Sequence, residues 1–150
     1  MSSFPPESAA ELKARALRHL ARREHSRAEL ERKLAPHAGT AGQLQALLDQ
    51  LEQKKQLSNE RFAEQRAHVL ARKYGPARIR HDLKAKGISA ELVDRVSSEG
   101  ELERARAILQ RKYADPAASR EERARRARFL QGRGFSGEVI HRLVLREGED

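Results

Sequence analysis

Apolar residues recur every three or four positions along almost the whole chain, which is the spacing of one face of an amphipathic α-helix. The first such stripe contains Leu12, Ala16, Leu17 and Leu20. Later stripes keep this spacing and draw mainly on leucine and alanine, which favour helices over strands. The pattern therefore predicts an all-α protein.

Short breaks divide these stripes into nine predicted helices, and the breaks contain residues that commonly start or end helices. Ser26–Glu29 has the spacing of a capping box, and so does Ser119–Glu122. Gly87 and Gly134 follow two of the stripes and are predicted to end those helices in the left-handed conformation. The helices therefore have local start and stop signals as well as apolar faces.

The chain also contains internal repeats. The segment Leu83–Ser89 matches Leu130–Ser136 at an offset of 47 residues, and Arg72–Tyr74 matches Arg111–Tyr113 at an offset of 39. A first copy matches the second more weakly, at an offset of 49 residues. The nine helices therefore fall into three groups of three.

A unit of three short helices buries little apolar surface alone, whereas stacked units share their interfaces. We therefore predict an elongated array of three tandem three-helix repeats and not one globular nine-helix bundle. The predicted repeats span 11–57, 58–98 and 99–147, after a disordered N-terminal tail over 1–10.

The composition adds a strong positive charge. The net charge is +9 and charged residues make up 35% of the chain, with the basic surplus spread over all three predicted repeats. Such a surplus favours a polyanionic partner, with nucleic acid the leading candidate. The alternative is a helical protein that simply carries many arginines.

Sequence features of catalysis are missing. The chain has no cysteine, and its six histidines lack the spacing of a metal site. No apolar stretch reaches the roughly 18 residues that a membrane span needs. We therefore expect no catalytic residue, no metal, no cofactor and no membrane partner, and a monomeric cytoplasmic protein that is not an enzyme.

One repeated helix presents a basic strip. With Ile79 and Leu83 facing the core, Arg80 and Lys84 fall on the outer face, where phosphates need only such cations. The alternative is a solvated face balanced by acidic neighbours. The full set of predicted contact residues is Arg72, Lys73, Arg78, Arg80, Lys84, Lys86, Arg125, Arg128 and Arg133. The predicted structural residues are Phe62, Ile79, Leu83, Gly87, Phe129, Gly134 and Phe135.

Two other modes of nucleic-acid binding are less well supported. A helix-turn-helix reader usually carries Asn, Gln or Ser for base edges, but the helix from Pro76 to Lys86 offers mainly Arg, Lys and His. Tyr74 and Tyr113 are the only tyrosines, too few for a base-stacking platform. We expect both to pack at helix ends.

Three separated motifs resemble the RecX family of bacterial recombination regulators. They are ALRHLARREHSRAELERKL, SNERFAEQRAHVLARKYGPARIRHDLKAKGIS and RARFLQGRGFSGEVI, and the resemblance runs from about Ala16 to Leu145. Many family members have an aspartate pair before the Arg-Phe of the second repeat, where this chain has Ser58-Asn59-Glu60. Tandem three-helix repeats are what this resemblance implies for the fold.

The resemblance also implies a function. RecX proteins bind the RecA recombinase and its nucleoprotein filament, inhibit its ATPase and strand exchange, block filament extension, and bind single- and double-stranded DNA. The expectation is therefore a negative regulator of RecA in recombination, DNA repair and the SOS response. The alternatives are a general DNA-binding protein that acts without RecA, with no sequence specificity, and a scaffold with no link to nucleic acid.

Overall fold

The computed structural model describes residues 4–145, and this part of the chain holds nine α-helices and no strand. The all-α prediction is confirmed. The helices are α1 (Ala9–Arg22), α2 (Arg27–Leu34), α3 (Ala41–Gln53), α4 (Asn59–Leu70), α5 (Pro76–Ala85), α6 (Ala90–Asp94), α7 (Glu101–Lys112), α8 (Arg120–Gly132) and α9 (Gly137–Ile140). A 3-10 turn, Ala35–His37, follows α2, and a π-helical turn, His141–Leu145, follows α9. Residues 1–3 of the predicted tail and 146–147 of the predicted last repeat lie outside the described residues.

Hydroxyl side chains begin most of these helices. Ser26 caps α2 with a complete capping box, because its hydroxyl accepts from the Glu29 amide and Glu29 accepts from the Ser26 amide. At α8 the prediction is half right. Ser119 accepts from the Glu122 amide, but the Glu122 carboxylate accepts from the amide of Ala118 and not of Ser119.

The structure divides into two compact units. Unit 1 contains the described residues as far as Arg66 together with Leu83–Leu92, and unit 2 contains Ala67–Asp82 and the described residues from Val93 onward. Each unit has its own apolar core. In unit 1 this core consists of Leu12, Ala16, Leu30, Leu34, Leu44, Leu47, Leu48, Leu51 and Leu57. In unit 2 it consists of Ala105, Ile108, Leu130, Phe135, Val139, Ile140, Leu143 and Val144.

Most of the predicted apolar anchors are buried, including Phe62, Ile79, Leu83 and Phe135. Phe129, also a predicted structural residue, is half-buried. The apolar spacing in α4 further predicts an anchor at Val69, which is 55% exposed, so that prediction is wrong. The buried residues of α4 lie in its first half, at Phe62 and Ala63.

The segment before α1 is ordered from Phe4 onward, whereas the sequence predicts a disordered tail over 1–10. The Phe4 ring stacks on His37 with centroids 4.5 Å apart. The Glu7 amide donates to the His37 carbonyl at 2.9 Å, and Arg15 Nε donates to the Glu7 carboxylate at 2.9 Å. These contacts fix the segment, and Ser8 then caps α1.

The Ser58-Asn59 pair divides two capping tasks. The Ser58 hydroxyl accepts from the Arg61 amide in the first turn of α4. Asn59 instead reaches α2, where its side-chain oxygen accepts from the Arg27 amide at 2.8 Å. The polar residues before the Arg-Phe of the second repeat therefore cap one helix and connect it to another.

Two glycine turns pack closely against the start of a preceding helix. In unit 2 the Gly75 amide donates to the Arg133 carbonyl at 2.8 Å, and a Cβ on Gly134 would lie 2.4 Å from Arg78 Cβ. In unit 1 the Ser26 hydroxyl donates to the Lys86 carbonyl at 2.8 Å. Gly87 and Gly134 have φ of 80° and 90°, which confirms that both turns use the left-handed region.

A buried polar cluster lies beside the start of α2. His25 is 1% exposed, and its Nδ1 donates to the Arg23 carbonyl at 3.0 Å, which leaves Nε2 to accept from the Lys33 ammonium at 2.9 Å. Burial lowers the pKa of His25, and the charges of Arg23 and Lys33 act in the same direction. Burial would raise the pKa of Glu29, but hydrogen bonds from Arg23 and the Ser26 amide outweigh it and lower the pKa to about 2.

We expect this cluster to make the fold sensitive to mild acid. A lowered folded-state pKa means that the unfolded chain takes up the His25 proton first, so stability is lost as the pH falls below the ordinary histidine pKa of about 6.5. The His25→Gln variant should lose less stability between neutral pH and pH 5 than the wild type, as measured by urea unfolding. The His25→Gln variant should still lose some stability in acid. His19 accounts for part of that loss, because burial also lowers the pKa of His19.

The matched control for this experiment is His68→Gln, because His68 is an exposed residue of α4. That variant should keep the acid dependence of the wild type. Equal acid sensitivity of the His25→Gln and wild-type proteins would contradict the assignment.

Candidate nucleic-acid interface

Unit 2 contains a cleft of about 580 Å³ that is lined by cations and aromatic rings. Its lining residues are Arg72, Lys73, Tyr74, Ile108, Arg111, Lys112, Phe129 and Arg133. Five of these eight side chains are cationic and none is acidic. The other two clefts that we describe differ from it, since one has three glutamates in its wall and one is mainly apolar.

Three helix ends meet around this cleft. Arg72 and Lys73 follow the end of α4, Lys112 is the last residue of α7, and Arg133 follows the last residue of α8. The carboxyl end of a helix carries a partial negative charge, which stabilises nearby cations. This geometry explains how five like charges can gather without an acidic partner among residues 4–145.

Arginine side chains at the ends of α7 and α8 reach the chain after α4. Arg111 Nη2 donates to the Arg72 carbonyl, and Arg133 Nη1 donates to the Lys73 carbonyl, both at 3.3 Å. Each guanidinium has five N–H donors, so one such bond leaves most donors available. These two contacts hold the cationic side chains at the cleft without neutralising them.

Aromatic rings position the same cations. The Arg133 guanidinium carbon lies 5.5 Å from the Tyr74 ring centroid and 5.1 Å from the Phe129 centroid, and Arg78 lies 5.0 Å from Tyr74. Lys112 Nζ lies 5.2 Å from Phe129. Contacts of this length between a cation and a ring face are attractive. Tyr74 and Phe129 therefore orient cations, which is a more specific role than packing at a helix end.

The five cations of the cleft are available to an anionic ligand. Within residues 4–145, ion pairs form at Arg15, Arg23, Arg27, His37 and Arg61, among others, and none involves a cation of the cleft. Unpaired Lys and Arg side chains in a groove bind a phosphodiester backbone without reading its bases. Chemically, the arrangement suits a polyanion.

The structure brings some of the predicted contact residues together and separates others. Arg72, Lys73 and Arg133 line the cleft, and Arg78 stacks on a ring of its wall. Arg80 is half-buried and donates to the Val96 carbonyl at 3.1 Å, so it is less exposed than its predicted place on the outer face suggests.

The other predicted contact residues lie outside the cleft lining. Arg125 and Arg128 are exposed on α8. Lys84 and Lys86 belong to unit 1, where the Lys86 carbonyl accepts the Ser26 hydroxyl. Of the nine predicted contact residues, three therefore line the cleft of unit 2, namely Arg72, Lys73 and Arg133.

The sequence-based set misses Arg111 and Lys112. Both line the cleft and both are exposed. The signal that identifies them is the repeated tripeptide, because Arg111–Tyr113 matches Arg72–Tyr74. If one copy binds, the matching copy is the natural second candidate.

The structure adds little on metals or membranes. No group of three or more His, Asp or Glu side chains in the described part of the chain is arranged to hold a metal ion. None of the described helices is long and apolar enough to cross a bilayer.

Comparison with known families identifies two of the three-helix sets. Residues 58–96 match the family model described as RecX, second three-helix domain, and residues 99–144 match RecX, third three-helix domain. Together these two matches cover more than half of the chain.

Named relatives extend the similarity over nearly the whole chain. The regulatory protein RecX of Ralstonia nicotianae is 45% identical over 142 residues, which cover 93% of this chain and 89% of the relative. The regulatory protein RecX of Leptothrix cholodnii is 48% identical over 138 residues, with coverage of 90% and 87%.

Solved structures agree on the fold. The crystal structure of RecX from Lactobacillus salivarius superposes with a TM-score of 0.79 at 18% identity, covering 92% of this chain and 95% of that one. A second crystal structure, of a regulatory protein RecX, superposes with a TM-score of 0.78 at 20% identity, covering 92% and 73%.

Proposed function

Because the chain belongs to the RecX family of regulatory proteins, we propose that it is a negative regulator of the RecA recombinase. It binds the RecA–DNA filament and inhibits filament extension, ATP hydrolysis and strand exchange. The DNA of the filament supplies the phosphates, and the cleft of unit 2 supplies the cations.

The observation that carries this proposal is the set of five cations in the cleft, none of which forms an ion pair with a described residue. A cluster of like charges at helix ends costs free energy unless a counter-charge compensates it. Within the described residues the helix carboxyl ends supply only part of that charge. The phosphate backbone of DNA supplies the rest, and release of its counterions drives the binding.

The experiment is a titration of the protein into RecA on single-stranded DNA while ATP hydrolysis is followed. We expect inhibition at amounts well below one protein per RecA, because a bound regulator that blocks extension acts on many subunits. Inhibition that appears only once the DNA itself is covered would favour the alternative, a general DNA-binding protein that acts without RecA.

Two variants sharpen this titration. Arg111→Gln with Lys112→Gln removes two cleft charges, and Arg106→Gln with Arg120→Gln removes two exposed charges of α7 and α8 outside the cleft lining. The cleft variant should need several times more protein for half-inhibition, whereas the control should match the wild type. Equal inhibition by both variants would remove the cleft from the proposal, and no inhibition by the wild type would overturn the function.

A further inference from the structure

The cleft of unit 2 has the size of a small-molecule site. Its volume of about 580 Å³ lies within the range of roughly 300–1,000 Å³ that is usual for ligand pockets. Such pockets are mostly apolar with a few polar groups, whereas five of the eight side chains that line this cleft are cationic. This composition suits a small ligand that carries several negative charges close together.

The cations of the cleft come from two copies of one tripeptide and from a third helix. Arg72 and Lys73 belong to the first copy, and Arg111 and Lys112 belong to the second. Each pair lies at or just after the carboxyl end of the first helix of its three-helix set, and Arg133 follows α8. A ligand in the cleft would therefore be contacted by cations from three separate helix ends.

Two guanidinium groups in the cleft are held next to each other. Those of Arg111 and Arg133 donate to the carbonyls of two consecutive residues, Arg72 and Lys73. The Cα atoms of consecutive residues are about 3.8 Å apart, so the two groups lie side by side. A sugar separates the phosphates of a DNA strand, whereas directly linked phosphates share a bridging oxygen. Neighbouring guanidinium groups match linked phosphates, because each can form paired hydrogen bonds with one of them.

The aromatic rings of the cleft wall already contact cations. Arg78 and Arg133 lie 5.0 and 5.5 Å from the Tyr74 ring centroid. Arg133 and Lys112 lie 5.1 and 5.2 Å from the Phe129 ring centroid. A base that stacked on either ring would compete with these cations for ring surface. We therefore expect the cleft to recognise the phosphates of a ligand and not a base.

We propose that the cleft of unit 2 is a binding site for a short chain of directly linked phosphate groups, either inorganic or the tail of a nucleoside triphosphate. Such a ligand brings several negative charges into one cleft, whereas a single DNA strand brings one charge per nucleotide. It competes with DNA for the same cations, so its binding releases the protein from DNA. This competition rests on the proposed function, whereas binding of the ligand itself does not.

The first test is a calorimetric titration of the full chain with inorganic tripolyphosphate, ATP, AMP and orthophosphate, at one ionic strength and without magnesium ions. Tripolyphosphate and ATP should bind with similar affinity. AMP and orthophosphate should bind at least about tenfold more weakly, since each lost charge-assisted hydrogen bond costs about that factor or more. Equal affinity for AMP and ATP would overturn the proposal, because the base and sugar would then be the recognised groups. Failure of tripolyphosphate to bind would also overturn it.

Tyrosine fluorescence reports on the cleft directly. The chain has no tryptophan and only two tyrosines. Both rings contact a cation of the cleft, Tyr74 at 5.5 Å from Arg133 and Tyr113 at 5.9 Å from Lys112. Tripolyphosphate should therefore change the fluorescence until the site is full, with the dissociation constant that calorimetry gives. Binding detected by calorimetry with no change in fluorescence would place the ligand elsewhere and overturn the assignment.

A pair of variants tests the same assignment. Arg111→Gln with Lys112→Gln should weaken tripolyphosphate binding by at least about tenfold at unchanged helicity. Arg106→Gln with Arg120→Gln has the same net charge and changes no lining residue, so it should bind as the wild type does. Equal weakening by both variants would mean that overall charge attracts the ligand, and the cleft would not be its site.

A competition experiment distinguishes this proposal from the proposed function. Tripolyphosphate should release single-stranded DNA from the protein at concentrations near its own dissociation constant, whereas sodium chloride of the same ionic strength should not. Release that depends on ionic strength alone would overturn the ligand site and leave the regulation of RecA standing. Binding of tripolyphosphate by a protein that neither binds DNA nor inhibits RecA would support the site and overturn the function.

Discussion

Replacing Arg111 and Lys112 with glutamine is expected to weaken binding to single-stranded DNA by roughly 25-fold at about 0.1 M salt. Each neutralised phosphate contact removes about 0.7 from the slope of log K against log salt, so two contacts remove about 1.4. At about 1 M salt the wild type and this double variant should bind single-stranded DNA with the same affinity, since counterion release contributes little there. The measurement is a salt titration of the dissociation constant without RecA.

Substitutions at Arg111 and Lys112 remove charge without disturbing the fold. Both side chains are exposed at the end of α7, and glutamine has nearly the helix propensity of lysine and arginine. The control is Arg106→Gln with Arg120→Gln, which has the same net charge. Its slope should stay at the wild-type value, because neither Arg106 nor Arg120 lines the cleft, so neither side chain contacts a phosphate bound there. A control that weakens binding as much would mean that net charge, and not the cleft, governs affinity.

The helices could be predicted because their signals are local. Ser26 and its capping box lie within one turn of α2, and the helix-ending Gly87 and Gly134 directly follow their stripes. Burial was less predictable where it depends on another element. Val69 has the spacing of an anchor, yet it is 55% exposed and belongs to neither of the two apolar cores of the described residues.

The cleft depends on contacts that the sequence does not show. Arg133 and Lys73 are sixty residues apart in sequence, yet a hydrogen bond joins them. A helical wheel places Arg80 on an outer face, but the wheel contains no information on the Val96 carbonyl that takes up this side chain. The sequence therefore shows which cations the chain has, whereas their grouping in the cleft required the tertiary structure.

Gly134→Ala is expected to destabilise unit 2 by about 3 kcal/mol or more. At φ 90° an L-residue costs about 1–2 kcal/mol. The added Cβ would also lie 2.4 Å from Arg78 Cβ and 2.5 Å from its backbone nitrogen, and overpacking typically costs about 1–3 kcal/mol. Because the backbone of α5 cannot move aside as a flexible side chain can, we expect the two costs to add. Urea unfolding monitored by circular dichroism measures this change in the free energy of unfolding.

Gly132→Ala is the matched control, two residues earlier on the same helix end. No atom lies within 4 Å of its added Cβ, and alanine is preferred to glycine in a helix by up to about 1 kcal/mol, so this variant should be neutral or more stable. Gly134→Ala should also weaken DNA binding, because the same turn carries Arg133, whose carbonyl accepts the Gly75 amide and whose guanidinium lines the cleft. Strain at this turn would displace both the carbonyl and the guanidinium of Arg133. If Gly134→Ala lost stability but kept its DNA affinity, Arg133 would not be a contact of the bound strand.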